Sequence, residues 1–249
     1  MRAVLAVLLG CWAGLSGAAE LRWGFGPSDG MPYVEVHDHE LQGGFTRLLG
    51  ERVGQRLGLS VQFIETPNKR LEEFIQRGRI HLICNNNPEW VSQPQRYHWS
   101  PPLFEEEDVL LQHRERPPLT GLAALRGKVL GTSLGYVYTP PLMEAFAQGE
   151  ITRQDVRDLD TRMQMLSKHR LDALIDMRRP LAFELAKHPE LPLSFSPWVV
   201  QRYSLHCSYG PQLPVAAELL DEALQALHDQ GVIAALLNSE QQRLNAQRN

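Results

Sequence analysis

The sequence predicts an α/β protein with two similar lobes, and three observations support this prediction. The segments at 75–85 (IQRGRIHLICN) and 166–176 (LSKHRLDALID) share one pattern: the end of an amphipathic helix, a tight turn, a short apolar run and a small polar residue. Strands and helices alternate in two separate series, which is typical of parallel sheets. Two extended runs connect these series. The first observation alone would not suffice, because Gly-ended helices followed by apolar strands are common in α/β proteins.

The first series begins with a strand over 21–25 and a loop over 26–33. Apolar residues at helical spacing predict a helix from residue 45, and Gly58 ends it before a strand over 60–64. A second helix, which carries Leu71 and Phe74, leads to a strand ending at Cys84. This order of strands and helices predicts a parallel sheet flanked by helices.

The second series follows an apolar run at 108–112, and the extended run at 203–209 returns the chain to the first lobe. An amphipathic helix over 214–230 and one further helix close the chain. We therefore assign residues 20–107 to the first lobe, 108–202 to the second lobe, and 203–249 to the return segment and C-terminal helices of the first lobe. Two crossing strands between two lobes form a hinge.

Residues 1–19 predict a cleaved secretory signal. Arg2 precedes an apolar stretch, and the small residues at 17–19 offer a cleavage site before Glu20. A lipid anchor at Cys11 would leave a very short apolar region, and a retained membrane helix would need ~20 apolar residues. We therefore expect an exported mature protein that begins near Glu20.

The charge balance excludes some classes of partner. The formal net charge of −4 becomes −5 when Arg2 is removed with the signal, and no basic tract is present. A mildly acidic chain of this kind does not favour nucleic acid or anionic lipid surfaces.

Two cysteines, Cys84 and Cys207, remain after removal of the signal. An oxidising compartment would allow a disulfide between them. Both lie in apolar, strand-like runs, where an unpaired thiol packs as a small hydrophobic group. We therefore expect both to be buried and unpaired.

Five short motifs occur in an order that resembles the family 3 extracellular solute-binding proteins. They are GGF at 43–45, RIHLI at 79–83, WSPP at 99–102, LRGKV at 125–129 and RLDALID at 170–176. The resemblance spans roughly residues 21–240. It implies the two-lobed type II periplasmic binding protein fold, in which each lobe is a parallel-type sheet flanked by helices, two hinge strands join the lobes, and a ligand is enclosed between them. It also implies a periplasmic location and a partner in the inner membrane.

One departure from the family concerns the arginine that grips a ligand carboxylate in amino-acid-binding members. Gln93 stands where that arginine is expected, and Arg96 lies one helical turn away. Only a guanidinium group forms the bidentate fork with a carboxylate. A standard α-amino acid is therefore a poor candidate ligand unless Arg96 takes over the role. The PNKR segment at 67–70 and GYVY at 135–138 resemble orphan members of the superfamily, so we expect a divergent member.

Asn85 and Asp176 are the first candidate ligand-binding residues, because polar groups at the carboxyl ends of parallel strands line clefts. Asp176 matches the family position that pairs with a ligand amino group, and we expect it to be a surface polar group facing the cleft. It could instead cap the following helix. Tyr33 and Tyr136 are candidates to stack on a ligand, since aromatic rings offer a flat apolar face and a polar edge.

The turn from Thr132 and Ser133 to Tyr136 could bind an anion through free amides between a strand and a helical region. Arg70 begins a helix, where a positive charge opposes the helix dipole, so it could reach for an anionic group.

Enzyme functions are the main competing class. The GTSLG segment at 131–135 fits the nucleophile elbow of serine hydrolases, and Asp176 and His206 follow in the required order, but the context for an oxyanion hole is poor. The family resemblance also admits a cyclohexadienyl dehydratase-like enzyme. His37 and His39 lack further ligands for a metal site, and the glycines at 24–30 do not form a dinucleotide fingerprint. We therefore expect no cofactor and no metal.

The sequence thus favours a monomeric, exported binding protein that encloses a small polar solute, performs no chemistry on it and presents it to a transporter permease or a sensor protein. A ligand-independent signalling subunit is a further alternative.

Overall fold

The computed structural model describes residues 19–247, and describes their side chains as far as residue 239. The expected signal segment, including Cys11, therefore falls almost entirely outside the described residues. No helix within the described part of the chain is long and apolar enough to cross a membrane.

The first lobe is built on three parallel strands and two helices, as the sequence predicts. Their bounds are β1 (Glu20–Phe25), α1 (Phe45–Leu57), β4 (Ser60–Glu65), α2 (Leu71–Gln76) and β5 (Leu82–Asn86), and a hairpin of β2 (Glu35–His37) and β3 (Glu40–Gly43) precedes α1. β1 lies between β4 and β5 and pairs with both in parallel. Helix α1 ends at Gly58, whose φ of 67° is the left-handed conformation that favours glycine.

The second lobe repeats this arrangement. It contains β8 (Val129–Ser133), α3 (Pro140–Ala147), β9 (Thr152–Val156), α4 (Leu159–Ser167), β10 (Ala173–Met177) and α5 (Arg178–Lys187). β8 lies between β9 and β10 and pairs with both in parallel. Apolar side chains cover both faces of these strands and form two separate clusters, one under α4 and one under α3.

Two long strands join the lobes: β7 (Phe104–His113) and β11 (Leu193–Tyr209). They run antiparallel to each other, from the pair Phe104↔Leu205 to the pair His113↔Leu193. β11 also pairs with β5 of the first lobe and with the short β6 (His98–Trp99), and β7 also pairs with β10 of the second lobe. The strand order β4-β1-β5-β11-β7-β10-β8-β9 therefore places the two crossing strands at the centre of one mixed sheet.

Both crossing strands are longer than the sequence predicts. For β7 the reason is that charged residues interrupt its apolar pattern. Glu106 and Glu107 lie within the strand, where arginines neutralise them: Arg179 contacts Glu106 at 2.9 Å, and Arg178 and Arg202 contact Glu107 at 2.5 and 2.7 Å. The strand tolerates these carboxylates because the arginines compensate their charge.

The C-terminal helices α6 (Ala217–Asp229) and α7 (Val232–Gln247) pack on α1 of the first lobe. The core that they share with β1 and α1 contains Trp23, Phe45, Leu49 and Leu224. The chain therefore returns to the lobe in which it began.

Cys84 and Cys207 form a disulfide, so the expectation that they are unpaired is wrong. The two residues lie on β5 and β11, which are neighbours in the sheet. Their separation of 123 residues in sequence gave no indication of this proximity, which arises only when the chain returns to the first lobe.

Candidate functional site

A cavity of about 90 Å³ lies between the two lobes, beside the crossing strands. The loop after β1, the end of β5 and the start of α2 contribute from the first lobe, whereas the loop after β8 and the end of β10 contribute from the second. Its polar lining consists of Asp29, Asn68, Glu72, Asn85, Asn86 and Asp108. Among the described residues, no lysine, arginine or histidine lines it.

Aromatic rings form one wall of the cavity. Trp90 and Tyr203 meet edge to face, with ring centroids 5.1 Å apart and an interplanar angle of 77°. Tyr136 lines the cavity from the second lobe. The site therefore combines apolar ring faces with carboxylates.

The lobes contact each other across the cavity. The hydroxyl group of Tyr136 donates a hydrogen bond to Asp29 Oδ1 over 3.0 Å. Beside it, Gly135 has a φ of 86°, and a Cβ atom at this position would lie 3.1 Å from Lys69 Cγ of the first lobe. The loop after β8 thus packs closely against the start of the helical segment of the first lobe, and the structure is a closed conformation.

Asn85 lines the cavity at the end of β5, where its backbone adopts a left-handed φ of 54°. The side chain is 7% exposed, and its Nδ2 donates to Thr46 Oγ1 over 3.4 Å. Its Oδ1 has no hydrogen-bond partner within the described part of the chain. A buried polar atom without a partner is costly, so Asn85 Oδ1 retains an unused capacity to accept a hydrogen bond at the edge of the cavity.

Asp108 lies on the crossing strand β7 and accepts a hydrogen bond at Oδ1 from the hydroxyl group of Tyr203 over 2.8 Å. Burial raises the pKa of Asp108 to about 7, and the negative charges of Asp176 and Glu106 act in the same direction.

Asp29, in the loop after β1, has a similar environment. Burial raises its pKa to about 7, the hydrogen bond from Tyr136 lowers it, and the charge of Asp176 raises it further. In the closed state the cavity thus holds two carboxyl groups that resist ionisation because burial disfavours their charged form.

Asp176 is not the surface polar group that the sequence predicts. It is 3% exposed and forms an ion pair with the fully buried Arg162 over 2.5 Å. Its other oxygen accepts from the backbone amide of Met177, and Met177, rather than Asp176, lines the cavity. Asp176 therefore acts on the cavity through its charge, as the raised pKa values of Asp29 and Asp108 indicate.

The amides of Ser133, Leu134 and Tyr136 in the turn after β8 are engaged within the protein, which weakens the case for the expected anion site. The amide of Ser133 donates to the hydroxyl group of Tyr138 over 2.9 Å, and the amide of Tyr136 donates to the Ser133 carbonyl over 3.2 Å. Thr132 is buried and donates from its hydroxyl group to Asp155. The next helix, α3, begins only at Pro140, which removes the helix dipole from the argument.

Three other candidates also lie away from the cavity. Tyr33 is buried, donates from its hydroxyl group to Glu106 and stacks on Phe104. Arg70 and Arg96 are exposed, and Arg70 lies over the Phe74 ring. Of the predicted residues, the structure therefore brings Asn85 and Tyr136 together at the cavity.

The elements of a serine hydrolase are not assembled. Ser133 is buried, Asp176 is paired with Arg162, and Nδ1 of His206 lies 2.8 Å from the carbonyl oxygen of Ser100. No group of three or more metal-ligating side chains occurs within residues 19–239.

Four residues that line the cavity are not among the predicted ones: Asp29, Asp108, Trp90 and Tyr203. Asp29 follows the first strand, in the kind of position that made Asn85 a candidate, so the same rule could have found it. Asp108 did not stand out in the sequence because it begins an apolar run. A carboxylate within a crossing strand is nevertheless an unusual feature that could have indicated it.

No family model matches the sequence, and no curated protein matches it. Solved structures do resemble it. An ancestral arginine-binding protein bound to glutamine superposes with a TM-score of 0.72 at 16% identity, covering 90% of this chain and 98% of that protein.

Two further structures give the same result. The amino acid transporter substrate-binding protein AbpA from Streptococcus pneumoniae, bound to L-arginine, has a TM-score of 0.72 at 16% identity and covers 89% of this chain and 94% of its own. The GluR0 ligand-binding core from Nostoc punctiforme, in complex with L-glutamate, has a TM-score of 0.69 at 16% identity, with coverages of 89% and 98%. These neighbours are consistent with the family resemblance of the sequence motifs, and the chain has the two-lobed type II periplasmic binding protein fold.

Proposed function

We propose that this protein is a solute-binding protein that encloses a small polar molecule between its lobes and performs no chemistry on it. The observation that carries the proposal is the cavity between the lobes, which Asn85 lines with an Oδ1 that is buried and has no partner among the described residues. A polar atom of this kind is stabilised when a bound molecule donates to it. Structural neighbours that bind glutamine, arginine and glutamate support the same role.

In the proposed function, the protein acts as an exported monomer. Its partner is an inner-membrane permease or a sensor protein, which distinguishes the closed, ligand-bound form from the open form. A ligand can convey information in this way only if it binds one conformation more tightly than the other. The two strands β7 and β11 are the elements about which the lobes would rotate.

The test is to purify the mature protein, denature it and identify the released small molecules by mass spectrometry. We expect a small polar solute in stoichiometric amount. The same solute should raise the melting temperature of the stripped protein and reduce its radius of gyration in small-angle X-ray scattering. Stripped protein that responds to none of a broad panel of solutes, and that releases none, would contradict the proposal.

A further inference from the structure

We propose that the cavity selects a small organic cation without a carboxylate group, a ligand class that the solute-binding role alone does not specify. This inference rests on the proposed solute-binding function and concerns the same cavity.

The lining of the cavity contains several free hydrogen-bond acceptors. One oxygen of Asp29 and one oxygen of Asp108 each accept from a tyrosine hydroxyl, which leaves the second oxygen of each available. Asn85 Oδ1 is a third acceptor, more than nine-tenths buried and without a partner among the described residues. Acceptors of this kind around one cavity favour a ligand with several N–H donors, such as an ammonium or guanidinium group.

The negative charge around the cavity favours a cation. Asp176 adds a negative charge behind the cavity, and although Arg162 is paired with it, both Asp29 and Asp108 still experience its repulsion. A cation enclosed between Asp29 and Asp108 would replace the protons that these carboxyl groups hold and satisfy both of them. A carboxylate in the same place would meet like charges in a site of low dielectric constant.

The side chains that line the cavity also favour an organic cation over a carboxylate. No arginine or lysine of the described chain lines it, so a ligand carboxylate finds no bidentate partner. Trp90, Tyr136 and Tyr203 present ring faces and edges instead, and aromatic faces attract organic cations. The cavity of about 90 Å³ also favours a compact ligand.

The test compares pairs of molecules that differ only in the α-carboxylate. Isothermal titration calorimetry on the mature, stripped protein at pH 8 would measure agmatine against L-arginine, and cadaverine against L-lysine. We expect the amine of at least one pair to bind at least tenfold more tightly than its amino acid. Equal or tighter binding of both amino acids, or no binding of either amine, would overturn the proposal.

Variants then connect the preference to the cavity. Asp29→Asn and Asp108→Asn should each reduce affinity for the preferred amine at least tenfold, whereas Asp38→Asn, at an exposed position outside the cavity, should leave it unchanged. An amine that binds equally to all variants would show that it binds elsewhere and would overturn the proposal. The comparison on unmodified protein stands even if a variant fails to fold.

The outcomes also separate this proposal from the solute-binding function. A neutral or anionic solute released from purified protein, with no binding of the amines, would refute the cationic ligand and retain the function. Absence of any released or bound solute would refute the function itself.

Discussion

Tyr136 and Asp29 lie on different lobes, and the hydrogen bond between them, 3.0 Å long, joins the lobes across the cavity. The bond lies beside the close approach of Gly135 to Lys69, and both are among the contacts that join the lobes. The same bond also holds one oxygen of Asp29 and orients the other. Under the proposed function, closure and ligand recognition would therefore be connected through the carboxyl group of Asp29.

The first prediction concerns this bond. Tyr136→Phe removes the hydroxyl donor and retains the ring, so it should shift the protein toward the open state. A hydrogen bond contributes about 0.5–1.5 kcal/mol, which changes the ratio of closed to open molecules by up to about tenfold. Small-angle X-ray scattering should report a larger radius of gyration than for the unmodified protein. Tyr97→Phe, which alters a hydroxyl group within the first lobe, is the control and should leave the radius unchanged.

The second prediction concerns pH. Asp29 and Asp108 have pKa values of about 7 in the folded protein, because of burial and the charge of Asp176. In the unfolded chain an aspartate titrates near pH ~3.9. Between these values the folded state holds more protons than the unfolded state, so stability falls as pH rises from about 4 to about 7 and then becomes constant.

The double variant Asp29→Asn/Asp108→Asn lacks these two carboxyl groups, so its folding stability should not show the decrease with pH that they cause. Each group contributes ~1.4 kcal/mol per pH unit over about two units, so between pH 5 and pH 8 the unmodified protein should lose on the order of 5 kcal/mol that the double variant does not lose. The groups that face the two aspartates are Tyr136, Tyr203, Glu106 and Asp176, and they are present in both proteins. Melting curves at both pH values measure the difference, and parallel pH profiles would contradict the raised pKa values.

Local patterns predicted the lobes and the hinge because they depend on local chemistry. Helical spacing of apolar residues, the glycine after α1 and the alternation of strands and helices are all set by neighbouring residues. The disulfide between Cys84 and Cys207 depends on a contact over 123 residues, and no local pattern encodes it.

The site was only partly predictable because side chains alternate along a strand. Asp176 and Met177 are consecutive in β10, and successive side chains of a strand point to opposite faces. The sequence located the end of the strand correctly but could not determine which of the two residues faces the cavity. The orientation of Asp176 away from the cavity follows from Arg162, which lies on α4 and forms an ion pair with it.

The third prediction concerns Arg96, which could have replaced the missing carboxylate grip. It is exposed and does not line the cavity in the closed state. Arg96→Gln should therefore change the affinity for agmatine less than twofold in a calorimetric titration, because a surface substitution away from the site has little effect. Tight binding of L-arginine that disappears in Arg96→Gln would show that this side chain reaches the ligand.

The fourth prediction concerns the disulfide. The bond joins residues that are 123 positions apart and so closes a long loop. Either reduction or the double variant Cys84→Ala/Cys207→Ala removes it. We expect a loss of about 2–4 kcal/mol in the free energy of unfolding. Denaturant titrations with and without reductant measure it. Thiol titration of the denatured, unreduced mature protein should detect no free thiol, and two reactive thiols would contradict the bond.

The last prediction concerns the ion pair of Arg162 and Asp176, which is buried on both sides. Removal of one partner leaves an uncompensated buried charge, so Arg162→Leu should cost about 3–5 kcal/mol. Asp176→Ala should also destabilise the protein well beyond the ~1 kcal/mol expected of a surface polar group. The double variant Arg162→Leu/Asp176→Asn removes both charges and should lose less than the sum of the two single losses.

Arg126 and Glu150 provide the matched control, since they form an exposed ion pair in the same lobe over 3.1 Å. Their coupling energy in an equivalent double-variant cycle should be only about 0.2–1 kcal/mol, because solvent screens exposed charges. Denaturant unfolding followed by circular dichroism measures both cycles. If the coupling between Arg162 and Asp176 is as small as that of the exposed pair, Asp176 is free to face the cavity, and its family role toward a ligand amino group would return as the better explanation.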